Sequence, residues 1–248
     1  MVNDSWKWLR NVPGWEMRHK IVPILCAALI AVTICASGSS AKSGEPSRPD
    51  FPYKVYILLY QGVERTPVES IIPRLEQEFG FPVEILDQTP AVNPEMRNEQ
   101  RGQFDTMAIL EDALARTPKD SARLLAFFPE DMYIGRTEFI FGLADPDARG
   151  VVISTYRLVD GDKKRQSERL YNVALHELGH TFGLEHCAQG NKCVMTLARN
   201  PGAIDARPSE YEPQCRTRLH KAVKKLKADL LAEQAEHDAG DKDKQSSK

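Results

Sequence analysis

The segment that most constrains the fold is residues 176–187, which read HELGHTFGLEHC. On an α-helix His176 and His180 lie one turn apart, so both imidazoles reach one metal ion from the same face. Gly183 suits a left-handed helix end, after which the chain turns back and offers His186 as a third ligand. Three protein ligands leave one position of tetrahedral zinc open for water, as in catalytic sites. The spacing therefore predicts a catalytic zinc site at a helix end.

Glu177 lies next to the predicted metal-binding face, where it is placed to hold a water molecule rather than the metal. This is the general-base arrangement of zinc peptidases. The alternative is a helix whose histidines are only surface or core residues, and the third histidine at its proper offset argues against it. A competing arrangement takes the third ligand from a later glutamate, but no glutamate occurs between His186 and Glu210.

The residues around the motif extend the pattern. Cys187 follows the third histidine directly, Cys193-Val194-Met195 comes next, and Cys215 lies further on. Upstream, the same pattern covers residues 101–104 (RGQF), 139–144 (FIFGLA) and 152–158 (VISTYRL). Together these segments resemble the archaemetzincins, a family of zinc metallopeptidases of the metzincin clan, over about residues 53–220.

The resemblance implies a metzincin-like zinc peptidase fold with roles for particular residues. His176, His180 and His186 bind the catalytic zinc, Glu177 is the general base, and Met195 forms a methionine turn below the metal. Without the resemblance, Met195 reads as an ordinary core methionine. Peptide-bond hydrolysis by a zinc-bound water is the activity that these roles imply.

The family's second, structural zinc is bound by four cysteines, and here that set is incomplete. The chain has Cys187, Cys193 and Cys215, with Glu212 where a fourth cysteine is expected; in the other alignment Arg218 takes that place. A carboxylate can bind zinc, so Glu212 is a candidate fourth ligand. In an oxidising compartment two thiols would instead form a disulfide, with Cys187 and Cys193 as the expected pair. Our hypothesis is that the second zinc is absent or labile.

Alternating helices and strands predict an α+β fold, with a mixed, twisted β-sheet backed by helices. A small C-terminal subdomain ends in a helix. The predicted strands are residues 53–60, 83–86, 124–128, 138–143 and 150–158, and the predicted helices are residues 68–79, 95–116, 166–182 and 219–235. The metallopeptidase domain is predicted over residues 53–236, and the charged tail, residues 237–248, is expected to be disordered.

The segment 138–143 and the turn at 144–147 are the candidate substrate-binding edge. In metzincin-like folds the strand nearest the zinc is an exposed sheet edge, where an extended peptide pairs with free backbone groups. The alternative is an internal strand without substrate contact.

The N-terminal region carries an apolar run, residues 21–36, preceded by basic residues and followed by small ones. This pattern predicts a signal peptide or an N-terminal anchor within residues 1–40, with Met17 as an alternative start, and a flexible linker over residues 41–52. The expected location is extracytoplasmic, periplasmic or secreted. Membrane attachment is expected only if the segment is not cleaved.

The expected partner is a peptide or protein substrate. Net charge is only −2 and basic residues are dispersed, which argues against a nucleic-acid partner; a monomer is expected. The alternative function is a catalytically inactive, zinc-stabilised peptide-binding module. The missing cysteine fits that alternative, but Glu177 argues against it, because a structural zinc site needs no base. Aminopeptidase and endopeptidase action both stay open.

Overall fold

The computed structural model describes residues 51–188 and 192–246, with side chains described as far as residue 236. The predicted signal peptide or anchor and nearly all of the predicted linker lie outside these residues. Phe51 already belongs to the domain, because its ring packs edge-on against Phe81 with centroids 5.4 Å apart. Among the described residues, no helix is both long enough and apolar enough to cross a membrane.

The strands form two sheets. A five-stranded mixed sheet has the order β2-β1-β5-β8-β7, and a three-stranded sheet has the order β3-β4-β6. The strands are β1 Lys54–Leu59, β2 Val83–Ile85, β3 Arg97–Asn98, β4 Gln103–Asp105, β5 Ser121–Phe128, β6 Met132–Tyr133, β7 Gly142–Asp145 and β8 Gly150–Ser154. In the larger sheet β7 runs antiparallel to β8, whereas the other pairs are parallel. The prediction of a mixed sheet is confirmed.

The helices pack around the larger sheet. They are α1 Arg65–Glu69, α2 Ile72–Phe79, α3 Thr106–Leu114, α4 Lys163–Thr181, α5 Pro201–Ala206 and α6 Pro213–Ser246. Strands β1, β5 and β8 are buried along nearly their whole length, as their apolar sequences require when both faces are covered. Helix α4 packs against β7, β8, α1 and α5, so the predicted active-site helix lies at the centre of the domain.

Two helix predictions are corrected. The helix predicted over residues 95–116 is a 3₁₀ turn and the β3–β4 hairpin before α3 begins, because Gly102 takes a left-handed φ of 67° and the Asp105 carboxylate caps the Met107 N–H at 2.9 Å. The helix predicted over residues 68–79 is divided at Ser70 into α1 and α2.

The C-terminal helix is longer than predicted. It begins at Pro213 and continues to Ser246, so the expected helix end at residue 235 is corrected, and the part of the predicted tail that the structure describes is helical. Residues 237–248 contain three Asp, three Lys and two Ser, and their one glycine, Gly240, does not stop the helix. Extension of a helix that is already nucleated costs little per residue, so the helix continues although Asp, Ser and Gly are weak helix formers.

Two strand boundaries also differ. The strand predicted over residues 138–143 begins only at Gly142, because Ile140 pairs instead with Met132 of the smaller sheet. The turn predicted over residues 144–147 accordingly starts after Asp145. The strand predicted over residues 150–158 ends at Ser154, after which Leu158 N–H closes a turn on Thr155 O at 2.9 Å. The prediction that this region forms the sheet edge is confirmed, since β7 is the last strand of the larger sheet.

Candidate metal centre

Helix α4 carries the first two histidines on its last turns and ends where the motif requires. The buried Arg123 guanidinium binds the helix end, donating from Nε to Thr181 Oγ1 at 2.9 Å and from Nη2 to Thr181 O at 3.0 Å. Gly183 has a φ of 80°, a left-handed conformation that favours glycine. The chain reverses there, with Leu184 N–H donating to Gly179 O at 3.0 Å. This reversal returns His186 to the other two histidines.

The three histidine rings meet at one point. The ligand-type atoms of His176, His180 and His186 all lie within 4.8 Å of one another. The Nε2 atoms of His176 and His180 are 3.1 Å apart, close to the separation of about 3.3 Å that tetrahedral zinc–nitrogen bonds require. The structure therefore brings together all three predicted ligands.

Backbone carbonyls orient two of these rings. His176 Nδ1 lies 2.8 Å from Val194 O, and His180 Nδ1 lies 2.7 Å from Leu184 O. A carbonyl accepts, so each Nδ1 donates its proton and each Nε2 directs a lone pair at the shared point. Such partners fix the tautomer and the ring orientation of metal-binding histidines.

Burial keeps the three imidazoles neutral. Removal from water holds the pKa of His176 well below its ordinary value and lowers the pKa of His180 to about 4. The pKa of His186 is lowered for the same reason. A neutral imidazole is the form that binds metal, so the site needs no deprotonation near pH 7. Three neutral imidazole nitrogens are a donor set that fits catalytic zinc.

Glu177 directly follows His176 on α4, and its side chain lies against Gly142 at the start of β7. Its carboxyl is buried, and burial raises its pKa to about 8, while the positive charge of Arg207 acts in the opposite direction. A Cβ built at Gly142 would lie 2.7 Å from Glu177 Cγ and 2.9 Å from Oε1. Only glycine lets the first residue of β7 approach the carboxylate this closely.

Buried residues outside the histidine motif also pack against α4 and the loop that follows it. Met195 is fully buried, and a Cβ at Gly179 would lie 2.6 Å from its Sδ, so the predicted methionine turn packs directly on α4. The buried Arg207 donates from Nε to Asn172 Oδ1 at 2.5 Å and from Nη1 to Thr196 O. Sequence reasoning did not find Arg207 or Asn172, because neither belongs to a local motif.

The cysteines form a second cluster. The sulphur atoms of Cys187, Cys193 and Cys215 lie within 4.8 Å of one another, and the structure draws no disulfide bond among these three residues. Glu212 borders the cluster: its N–H donates to Cys193 Sγ at 3.4 Å, and its carboxylate caps α6, accepting from Gln214 N–H at 3.0 Å and from Cys215 N–H at 2.8 Å.

Arg218, in the other alignment, lies exposed on α6. The cluster of three thiols therefore matches only part of a four-ligand structural zinc site.

These features together define a zinc metallopeptidase. They are two histidines on one helix, a third histidine after a glycine turn, and a methionine packed beneath the helix. The model of peptidase family M54 matches residues 111–221. The archaemetzincin of Methanopyrus kandleri is 31% identical over 176 residues, which are 69% of this chain and 98% of that protein. The archaemetzincin of Nanoarchaeum equitans is 38% identical over 118 residues, 48% of this chain and 63% of that protein.

Solved structures of archaemetzincins match the fold of this chain. The crystal structure of the Methanopyrus kandleri archaemetzincin matches with a TM-score of 0.62 at 28% identity, over 69% of this chain and 96% of that chain. The archaemetzincin from Archaeoglobus fulgidus matches with a TM-score of 0.59 at 28% identity, over 66% of this chain and 99% of that chain. The chain belongs to the archaemetzincin family. The predicted family, fold class and hydrolase class are confirmed.

Proposed function

We propose that this zinc-dependent peptidase cleaves peptide bonds with Glu177 as general base. The observation that carries the proposal is the placement of the Glu177 carboxylate, which lies against the sheet edge and directly follows the ligand His176. A zinc ion bound by the three histidines would supply Lewis acidity for the scissile carbonyl and the attacking water. Glu177 accepts the proton of that water and delivers it to the leaving amine.

The environment of Glu177 suits both proton transfers. Burial raises its pKa to about 8, and a base is most effective when its pKa lies near the working pH. The buried guanidinium of Arg207 favours the ionised carboxylate and so opposes the effect of burial. Burial and the charge of Arg207 together favour a Glu177 carboxyl group that can accept and release a proton near neutral pH.

The outer edge of β7 is the proposed substrate-binding surface. Ser154 N–H donates to Phe141 O at 2.8 Å, and Gly142 lies opposite Ile153. Because hydrogen-bonded and non-bonded pairs alternate in antiparallel strands, the backbone groups of Gly142 and Ala144 point away from β8. An extended peptide pairing there would run past Glu177, as in strand addition to a sheet edge.

Replacement of the base tests this proposal. Glu177→Gln keeps the shape of the side chain, so we expect one zinc per chain and a kcat reduced by roughly 10²–10⁴-fold. His180→Ala should instead lose the metal. Glu185→Gln, which removes an exposed carboxylate from the neighbouring segment, serves as the matched control. Near-normal turnover by zinc-loaded Glu177→Gln would refute the role of Glu177.

The same kinetics test the alternative function. A wild-type chain that binds zinc and peptides but cleaves none of them would identify an inactive peptide-binding module. The positions of the cuts in a peptide library distinguish aminopeptidase from endopeptidase action.

We also propose that the histidines bind the one tightly held zinc and that the cysteine cluster holds a second zinc weakly or not at all. Three clustered sulphurs with Glu212 engaged as a helix cap support this proposal. Elemental analysis after dialysis should give one zinc per chain. Two zinc ions retained per chain would contradict it.

The N-terminal sequence supports an extracytoplasmic location. We propose that residues 1–40 contain a signal peptide or anchor and that the mature protein is a monomer. Fractionation of expressing cells with N-terminal sequencing tests the first point, and light scattering tests the second. A cytoplasmic, full-length product would contradict the proposed location.

A further inference from the structure

Three sequence segments that contain no predicted metal ligand meet at one stretch of chain. These segments are residues 101–104, 139–144 and 152–158. The stretch is residues 137–141, here termed the strap, which leads from the smaller sheet to the start of β7. Its Ile140 N–H donates to Met132 O at 3.0 Å, so the strap leaves the smaller sheet immediately before the free edge begins.

Donors from two of the segments hold the strap by its carbonyl groups. Arg101 Nη2 donates to Thr137 O at 2.5 Å, and Gln103 Nε2 donates to Glu138 O at 2.8 Å. At the other end, Ser154 N–H donates to Phe141 O at 2.8 Å. The strap is therefore fixed in large part by side chains, where a regular strand would be fixed by backbone pairing alone.

An ion pair organises these donors. Arg157 binds Asp131 through two hydrogen bonds, from Nε at 2.8 Å and from Nη2 at 2.7 Å. Gln103 Nε2 also donates to Asp131, at 2.9 Å, which links the ion pair to the strap. The Arg157 guanidinium lies 3.8 Å from the centre of the Phe139 ring.

This ion pair is better placed to stabilise the local structure than an ordinary surface ion pair. The Asp131 side chain is only 12% exposed, and its geometry with Arg157 is bidentate. Partial burial and bidentate geometry give an Arg–Asp pair a defined orientation as well as a favourable energy. The contact with Phe139 adds a cation–π interaction in the strap itself.

The position of the strap determines the position of the groove. Gly142 directly follows the strap. A Cβ at Gly142 would lie only 2.9 Å from Glu177 Oε1, so the backbone at this position lies close against the carboxylate. A shift of the strap by a fraction of an ångström therefore changes the distance between the substrate edge and the base. Misplacement of about 1 Å costs enzymes about 10²-fold in rate.

We propose that Arg157 and Asp131, with Gln103, are positioning residues that set the substrate-binding edge relative to Glu177. They contact neither substrate nor metal and act through the strap. The proposal rests on the proposed function, because it assumes that substrate pairs with β7. It predicts that the ion pair matters most for substrates long enough to pair with that edge.

Kinetics with substrates of two lengths test this inference. Arg157→Gln and Asp131→Asn should each lower kcat/KM for an octapeptide by at least about tenfold. Cleavage of a blocked dipeptide, which is too short to pair along β7, should keep its wild-type kcat/KM. Zinc content should stay at the wild-type level in both variants. Arg157→Lys, which keeps the charge but not the bidentate geometry, should fall between wild type and Arg157→Gln for the octapeptide.

Arg165→Gln is the matched control. Arg165 also forms a bidentate pair, with Asp160 at 2.9 and 2.8 Å, but that pair lies at the N-terminal end of α4. Arg165→Gln should leave kcat/KM unchanged for both substrates. Equal loss for both substrate lengths, no loss, or loss of zinc in Arg157→Gln and Asp131→Asn would overturn the inference.

The outcomes separate the two proposals. If the wild-type chain cleaves neither substrate, the proposed function fails and the inference fails with it. If the wild-type chain cleaves both and the variants match it, only the inference fails. Asp131→Asn is nearly isosteric, so it provides a folded test protein should Arg157→Gln fail to fold.

Discussion

The buried carboxyl group of Glu177 should destabilise the metal-free protein. Replacing Glu177 with a neutral side chain should therefore stabilise the metal-free protein. In the metal-free chain, burial raises the pKa of Glu177 from its ordinary 4.5 to about 8. Between these values the folded state binds more protons than the unfolded state, so its stability falls as pH rises through this window. At about 1.4 kcal/mol per pH unit, the effect is about 1 kcal/mol at pH 5 and about 4 kcal/mol at pH 8.

Glu177→Gln removes this ionisation. The stability of the metal-free variant relative to wild type should therefore increase by about 3 kcal/mol between pH 5 and pH 8. Any fixed cost of burying the amide is the same at both pH values and cancels in this difference. The other titrating groups are common to both proteins and cancel as well.

Urea unfolding with a chelator present measures this difference. Wild type, Glu177→Gln and the control Glu185→Gln are compared at both pH values, and the free energy of unfolding is taken from each curve. Glu185→Gln should follow the wild type. A difference between Glu177→Gln and wild type that is constant with pH would refute the argument from burial.

Three further predictions follow from close contacts. Gly142→Ala places a Cβ against Glu177, so kcat/KM should fall by at least about tenfold with zinc content unchanged; a normal rate would contradict the close approach. Gly179→Ala crowds Met195 and should reduce the free energy of unfolding by about 1–3 kcal/mol, measured in urea; unchanged stability would show that the turn is not packed there. Cys215→Ser breaks the thiol cluster and should preserve the zinc bound by the histidines, measured by elemental analysis; a zinc-free product would contradict separate sites.

The metal centre was predictable because its geometry is local. Helical spacing alone aligns His176 with His180, and one glycine after the helix returns His186 within a few residues. No long-range contact is needed to bring these atoms together. The position of β7 at the sheet edge was also predicted, although its first residue was not, because Ile140 pairs with a strand that is itself only two residues long.

Features that depend on distant partners were missed. Arg207 meets Asn172, 35 positions earlier in the chain, and nothing in the local sequence marks either residue. The second role of Glu212, as the cap that accepts from N–H groups at the start of α6, was also not predicted. Helix capping and metal binding use the same carboxylate oxygens, so spacing in the sequence does not distinguish the two roles.

The most direct test of the central claim is peptide hydrolysis by the wild-type chain before and after reversible removal of zinc. Purified protein with one zinc per chain is incubated with a peptide mixture, and products are identified by mass spectrometry. We predict defined cleavage that chelation abolishes and added zinc restores. Cleavage that persists at full rate in the zinc-free protein, or no cleavage by the zinc-loaded protein, would contradict the account.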